Sequence, residues 1–111
     1  MPFLSHDHTG VFYHTSSLLD TPGLLHGFST RLGGVSRGVY DSLNLRSGGD
    51  APDAPELVRE NYRRFCAALG ADPEKLVLSR QVHEDTVRLV TAADAGKGFS
   101  SPADYTADAL V

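Results

Sequence analysis

The sequence has few of the residues on which several protein classes depend. Its 111 residues include one cysteine, Cys66, so neither an internal disulfide nor a cysteine-rich zinc site can form. Lys and Arg number 10 against 14 Asp and Glu. The net charge of -4 argues against a nonspecific nucleic-acid binder, which needs gathered cations to neutralise phosphates. We therefore expect no nucleic-acid partner.

Long hydrophobic runs are also missing. No segment approaches the roughly eighteen apolar residues of a membrane span, and the N-terminal segment lacks the basic start and apolar core of a signal peptide. We therefore expect a cytoplasmic protein without a membrane partner. The remaining composition, 41% hydrophobic and 22% charged, is typical of one ordinary folded domain.

Two short runs rich in β-branched and aromatic residues predict strands, at Val11–Thr15 and Leu24–Thr30. The next segment, Arg31–Leu45, contains several glycines and has neither a strand nor a helix period, which predicts a structured loop. The early histidines lie near an end that we expect to be frayed, so solvated or structural roles are predicted for His6, His8 and His14. His26 is expected to be packed or hydrogen-bonded.

The strongest structural signal is a helix from Asp53 to Gly70. Asp53 is predicted to cap it, Pro55 suits its first turn, and Glu56 stands three residues after the cap, as in a capping box. Gly70 supplies the stop. Helical spacing places four apolar residues on one face, and Cys66 is expected to be buried beside them. The four are Val58, Tyr62, Phe65 and Leu69.

Beyond the helix the sequence predicts a turn or a single helical turn at Asp72–Lys75, and strands at Leu76–His83 and Thr86–Thr91. Residues 92–105 are predicted to be a surface connection, in which Asp104, like the later Asp108, is solvated. The run 107–111 reads as the beginning of a strand. Its abrupt end predicts that the chain is truncated.

The loop sequence Ser29-Thr-Arg-Leu-Gly-Gly-Val-Ser36 could bind an anion. Its glycines would let backbone N–H groups point inward, and Arg31 adds a planar guanidinium suited to phosphate or carboxylate. The glycine spacing matches neither a Walker nor a Rossmann motif, and a Gly-Gly pair taken alone is more often a tight turn. Both interpretations are open from the residues alone.

His83 follows Gln81 and Val82 at the end of a predicted strand. An imidazole there could bind zinc or transfer protons, since strand ends open into clefts. One histidine is not a metal site, however, so a structural histidine is the commoner explanation. Asn44, within Ser42-Leu-Asn-Leu45, could equally satisfy loop backbone groups or face a ligand.

Together these segments resemble the laccase-domain or polyphenol-oxidase family, whose members are also described as purine nucleoside phosphorylases and peptidoglycan-editing factors. The matching motifs are Thr-Arg-x-Gly-Gly-x-Ser at 30–36, Ser-Leu-Asn-Leu at 42–45, Gln-Val-His at 81–83 and Ala-Asp-Ala-Leu-Val at 107–111. The sequence departs from the family pattern at 46–53. The resemblance implies an α/β fold of mixed β-sheets flanked by helices, laccase-domain-like and cytotoxic-necrotizing-factor-like. It implies that residues 1–111 are the N-terminal portion of a single domain, incomplete in this chain.

The resemblance also implies a function: zinc-dependent phosphorolysis of adenosine, inosine and guanosine, with adenosine deamination as a further activity. It makes His83 a zinc ligand, Arg31 the contact to phosphate or substrate, and Asn44 and Gln81 residues that orient the reacting groups. The substrate-binding loop residues would be Gly33, Gly34 and Ser36. The family's other zinc ligands, a cysteine and a second histidine, follow Ala-Asp-Ala-Leu-Val and are not in this sequence. The fragment is therefore predicted to be inactive alone.

Three alternatives are open. Copper-dependent polyphenol oxidation would need a cysteine flanked by His and Met ligands, and Met1 is the only methionine. A noncatalytic fragment or module would bind an anion through the Gly-rich loop without turnover. Editing of peptidoglycan precursors is a cellular role that the sequence does not separate from nucleoside chemistry. Truncation also predicts self-association through exposed strand edges.

Overall fold

A computed structural model describes residues 3–46 and 51–111. The chain divides into two compact units, the first running through Ala71 and the second covering Asp72–Val111. Strands, one α-helix and short 3-10 turns make it a mixed α/β protein, as predicted. Its place as the N-terminal portion of a single domain stays a prediction, and residues 47–50, where the family pattern is broken, lie outside the described residues.

The first unit contains a three-stranded antiparallel sheet of order β1-β2-β3. β1 (Phe3–His8) and β2 (Val11–Ser16) form a hairpin, and β2 also pairs with the short β3 (Phe28–Ser29). The connecting residues Thr9 and Gly10 have φ of 48° and 93°, which matches the two-residue type I′ turn that suits a twisted hairpin.

The strand prediction at Val11–Thr15 is confirmed, whereas the frayed end before it is wrong because that segment is β1. His6 Nε2 lies 2.8 Å from Thr15 Oγ1, so His6 has a structural role there. The strand predicted at Leu24–Thr30 is mostly wrong. The beginning of that range belongs to a turn, in which the Leu24 N–H donates to the Thr21 carbonyl. His26 is hydrogen-bonded as predicted, with Nε2 3.1 Å from the Ser16 nitrogen.

The helix of the first unit, α1 (Pro55–Leu69), ends as predicted at Gly70, which has φ of 81°. It packs on β2, where Tyr13 and Phe65 make an edge contact with ring centroids 6.4 Å apart. Cys66 is buried, as expected. The predicted cap is wrong: Ala54 is the N-cap and no side chain caps the helix.

The second unit contains a parallel pair of short strands, β4 (Val87–Arg88) and β5 (Ala109–Leu110). The single turn predicted at Asp72–Lys75 is confirmed as a 3-10 turn, Pro73–Lys75. The long strand predicted at Leu76–His83 is wrong, since only Arg80 makes a bridge, to Thr106. The strand predicted at Thr86–Thr91 is confirmed only at β4, and the one at 107–111 is confirmed by β5.

The predicted surface connection 92–105 has a buried acid. Asp94 is 7% exposed, and its Oδ1 accepts a 2.9 Å hydrogen bond from Lys97 Nζ and lies 3.6 Å from Arg88 Nη2. The guanidinium of Arg88 lies over the Tyr105 ring, 4.1 Å from its centroid. Asp94 therefore pairs with two of the cations of this unit, Lys97 and Arg88. The hydrogen bond from Lys97 is the main cause that lowers the pKa of Asp94, and burial opposes it.

In the part of the chain that the structure describes, no helix combines the length and apolarity needed to cross a membrane. Three phenylalanines of the sheet, Phe3, Phe12 and Phe28, are exposed. They offer apolar surface for the self-association expected from the sequence, which stays a prediction.

Candidate functional site

The backbone of the Gly-rich loop is held from inside by Ser42 and Asn61. The hydroxyl of Ser42 accepts hydrogen bonds from the N–H groups of Gly33 and Gly34, each at 3.2 Å. The amide oxygen of Asn61 accepts the next one, from Val35, at 2.8 Å. Because these donors are used internally, the folded loop does not present them to an anion.

Ser36 is likewise committed to the interior, with only 2% of its surface exposed. Its hydroxyl donates to Asp53 Oδ2 at 2.6 Å and accepts from Asn61 Nδ2 at 2.8 Å. Its N–H donates to the Ser42 carbonyl at 2.9 Å. The N–H groups of Gly33, Gly34 and Ser36 and the Ser36 hydroxyl, which were expected to contact the substrate, are therefore all engaged within the loop in this conformation.

Asp53, expected to cap the helix, supports the loop instead. Besides the Ser36 hydroxyl, it accepts a 3.3 Å bond from Asn44 Nδ2 and a 2.9 Å bond from the Ala54 N–H. The Ser36 hydrogen bond is the main cause that lowers the pKa of Asp53; burial opposes it, and Asn44 and Ala54 add to it. Asn44 Oδ1 accepts from the Arg46 N–H at 3.2 Å. Of the two roles open for Asn44, its hydrogen bonds show the structural one.

Arg31 combines a fixed backbone with an exposed side chain. Its carbonyl accepts hydrogen bonds from the N–H groups of Ser42 and Leu43, at 2.9 and 2.8 Å. Its side chain is 73% exposed, and Nη1 lies 3.9 Å from Asp41 Oδ2. An exposed guanidinium can bind phosphate through two parallel N–H groups. Arg31 is therefore the strongest candidate for an anion contact in this unit.

In the second unit, residues 81–86 form a turn around the carboxylate of Asp108, which we call the histidine turn. Oδ1 accepts from the N–H groups of Val82 and His83, at 2.9 and 2.7 Å, and Oδ2 accepts from those of Glu84 and Thr86, at 3.1 and 3.2 Å. Partial burial raises the pKa of Asp108, but these four hydrogen bonds outweigh it and the net shift is downward.

The prediction that Asp108 is merely solvated is wrong, and Asp108 is the residue that sequence reasoning missed. A signal was present: Asp108 is the only charged residue in the apolar run 107–111. A charge placed in such a run needs a partner when the run folds. Here the partners are backbone N–H groups, which leave no trace in a sequence.

His83 has φ of 60°, an uncommon value for a residue with a side chain, although His adopts it more often than most. Its side chain and that of Gln81 are exposed. The structure thus brings Gln81 and His83 into one turn of the second unit. The other predicted site residues, Arg31, Gly33, Gly34, Ser36 and Asn44, share one loop of the first unit.

Within residues 3–46 and 51–111, no three His, Cys, Asp or Glu side chains come together as a metal site. A zinc centre with three protein ligands therefore does not fit the described residues alone. His83 could supply one imidazole to such a centre. Cys66, at 3% exposure, is enclosed in the first unit.

Comparison with known proteins agrees with the motifs. The family described as multi-copper polyphenol oxidoreductase laccase matches residues 25–111. A purine nucleoside phosphorylase of Deinococcus radiodurans is 41% identical over 96 residues, covering 85% of this chain and 33% of that protein. One from Escherichia coli K12 is 47% identical over 70 residues, covering 62% and 28%. One from Corynebacterium glutamicum is 40% identical over 68 residues, covering 61% and 27%.

The mixed α/β fold and the ordered motifs define a laccase-domain protein. The chain belongs to the multi-copper polyphenol oxidoreductase laccase family, which confirms the resemblance seen in the sequence. The matched region spans 33% of the Deinococcus relative and 27–28% of the other two.

Proposed function

We propose that this chain is part of a purine nucleoside phosphorylase that cleaves adenosine, inosine and guanosine with inorganic phosphate. The observation that carries the proposal is the 41% identity, over 85% of the chain, to a protein named for that activity. Because the chain covers only 33% of that relative, the activity is proposed for the longer protein. The 111 residues alone are proposed to be inactive.

In this reaction a phosphate oxygen forms a bond to the ribose C1′ while the bond from C1′ to the purine nitrogen breaks. The bonding electrons leave with the purine, which takes up a proton, and the products are ribose 1-phosphate and the free base. Phosphate must be held in line with C1′, and its charge must be balanced. We assign this task to the guanidinium of Arg31, because its backbone is fixed and its side chain is 73% exposed.

We assign His83 to a zinc site of the same enzyme, with Gln81 of the same turn orienting neighbouring groups. Asn44 takes no part in this assignment, because its side chain holds the loop of the first unit. When bound, zinc would activate water, which suits the deamination of adenosine. The exposed His83 side chain on a hydrogen-bonded turn supports the assignment. The remaining ligands must come from outside the described residues.

A second candidate is copper-dependent oxidation of phenols, which the description of the matching family names. The chain's own groups favour it less, since the single cysteine is buried and Met1 is the only methionine. A noncatalytic anion-binding fragment loses support because the loop N–H groups donate internally. Peptidoglycan-precursor editing stays a prediction.

The test is phosphorolysis of inosine and adenosine by the longer protein, with zinc or copper added and phosphate varied. We expect His83→Ala to abolish activity with loss of zinc. We expect Arg31→Ala to raise KM for phosphate by about tenfold or more with zinc content unchanged. Arg63→Ala is the matched control, because Arg63 is likewise a partly exposed arginine, at 46% against 73%, that lies near one acid, Glu60.

The outcomes separate the candidates. Phosphorolysis that depends on both His83 and Arg31 supports the proposal. Oxidation of a phenol with copper, without phosphorolysis, would replace it with the second candidate. Activity in the 111-residue chain would show that the described residues need no further ligands.

A further inference from the structure

The histidine turn is tied at both ends to the short segment that contains Asp108. At its start, the Ala107 N–H donates to the Arg80 carbonyl at 3.0 Å. At its end, the N–H of Asp108 itself donates to the Thr86 carbonyl at 2.9 Å. The side chain of Asp108 then fills the turn and accepts four hydrogen bonds from its backbone. Asp108 therefore supplies one of the two closing bonds and all four of these interior contacts.

The left-handed conformation of His83 depends on these contacts. A φ of 60° is unfavourable for a residue with a Cβ and persists where the surroundings fix it. The shortest of the four bonds, 2.7 Å, runs from the N–H of His83 to Asp108 Oδ1. The direction in which the Cα–Cβ bond leaves the backbone follows from φ and ψ. This contact therefore affects the direction in which the side chain of His83 extends.

We propose that Asp108 is the positioning residue of His83. Its carboxylate holds the histidine turn and thereby sets the direction in which the side chain of His83 leaves the backbone. For its functional consequence the proposal rests on the proposed role of His83 as a zinc ligand. Partners that accept from the ring N–H of a ligating histidine are typically worth about 10-fold to 100-fold in metal affinity. Asp108 acts through the backbone of His83 instead, so we expect an effect at the lower end of that range.

The chemistry of the site makes Asp108→Asn a sharp test. Each carboxylate oxygen accepts from two backbone N–H groups. An amide of the same shape replaces one of these acceptors with an NH2 group that faces two other donors. Asp108→Glu keeps both acceptor oxygens but moves them outward by one methylene. It should therefore retain part of the hydrogen bonding that Asp108→Asn loses. Asp104→Asn is the matched control. The substitution removes the same charge, but the carboxylate of Asp104 is exposed and contacts Lys97 instead of the turn.

The experiment uses the longer protein and two readouts. NMR hydrogen exchange at the four turn amides, measured without metal, reports whether their hydrogen bonds are intact. Titration with zinc alone reports the metal affinity of the site that contains the imidazole. In Asp108→Asn we expect faster exchange at Val82, His83, Glu84 and Thr86, and zinc affinity lowered about 10-fold. Asp108→Glu should fall between it and the wild type. Asp104→Asn should match the wild type in both readouts.

Three results would overturn the proposal, and they differ in what they leave standing. Faster amide exchange with unchanged zinc affinity makes Asp108 merely structural and leaves the function of His83 intact. Unchanged zinc affinity in His83→Ala removes the zinc assignment together with the positioning role. If Asp108→Asn does not fold, Asp108→Glu decides: wild-type zinc affinity with a disturbed turn would again overturn the proposal.

Discussion

The side-chain amide of Asn61 donates a 2.8 Å hydrogen bond to the hydroxyl of Ser36, and both residues are buried. Asn61 lies in α1 and Ser36 in the Gly-rich loop, so this bond connects helix and loop. The same amide accepts from the Val35 N–H at 2.8 Å and donates to the Asn44 carbonyl at 2.9 Å. One helix residue therefore holds the loop from which Arg31 projects.

Replacing Asn61 by alanine should destabilise the protein by about 2–4 kcal/mol, since it leaves buried donors and acceptors without partners at about 1–3 kcal/mol each. Urea unfolding at neutral pH measures the loss. Arg63→Ala, two residues further along the same helix, is half-exposed and should stay within about 0.5 kcal/mol of the wild type. Equal losses in the two variants would contradict the role given to Asn61.

Two glycines of the loop separate steric contact from backbone strain. A Cβ on Gly34 would overlap the Ser42 carbonyl and lie 2.5 Å from both Asn61 Oδ1 and Leu43 Cα. A Cβ on Gly38 meets nothing within 4 Å, but φ there is 64°. Gly34→Ala should cost about 3 kcal/mol from overpacking, and Gly38→Ala about 1 kcal/mol from strain. Thermal melts of both variants test the order, which a larger cost at Gly38 would reverse.

The lowered pKa of Asp53 predicts a dependence of stability on acid. Because the folded value lies below the ordinary 3.8, the stabilisation is present above that pH and disappears as pH falls through the folded value. The Asn variant should melt several degrees lower near pH 7 and lose less on acidification from about pH 5 to about pH 2. Asp20→Asn, whose carboxylate is largely exposed, serves as the control. The prediction would be refuted if the melting temperatures of wild type and Asp53→Asn fell by the same amount over this pH range.

Asp94 should dominate the stability of the second unit. Asp94→Asn removes the charge that faces Lys97 and Arg88, and we expect a melting temperature several degrees lower. Asp104→Asn removes a charge that meets the same lysine at 3.4 Å from an exposed position, and little change is expected. Calorimetry of both variants, with an equal shift as the contrary outcome, distinguishes a buried ion pair from a surface one.

Local signals made parts of the fold predictable from sequence. The helix at 55–69 and its stop at Gly70 follow from apolar spacing and from a glycine in the left-handed region. The helix start was missed because Asp53 is bound by Ser36, 17 residues away. The strand predicted at 76–83 does not form for a similar reason, because its last N–H groups donate to the distant Asp108 and not to a neighbouring strand.

The residues of the candidate site also fall into those that the sequence could identify and those that it could not. The exposed residues Arg31 and His83 could be chosen by residue type and motif alone. The internal use of the Gly33 and Gly34 N–H groups could not, because Ser42 lies across a loop whose conformation only the folded chain defines. Sequence therefore identified which groups project, and structure identified which groups hold them.

The separation of Asp108 from His83, 25 residues along the chain, also sets an order of events during synthesis. At about 5–20 residues per second, the ribosome adds Asp108 roughly 1–5 s after His83. Closing a loop of this length takes on the order of microseconds or less, so the delay is set by translation and not by folding. The orientation of His83 is therefore fixed only after Asp108 has been added, and a chain that stops between Thr86 and Asp108 keeps four turn N–H groups without their shared acceptor.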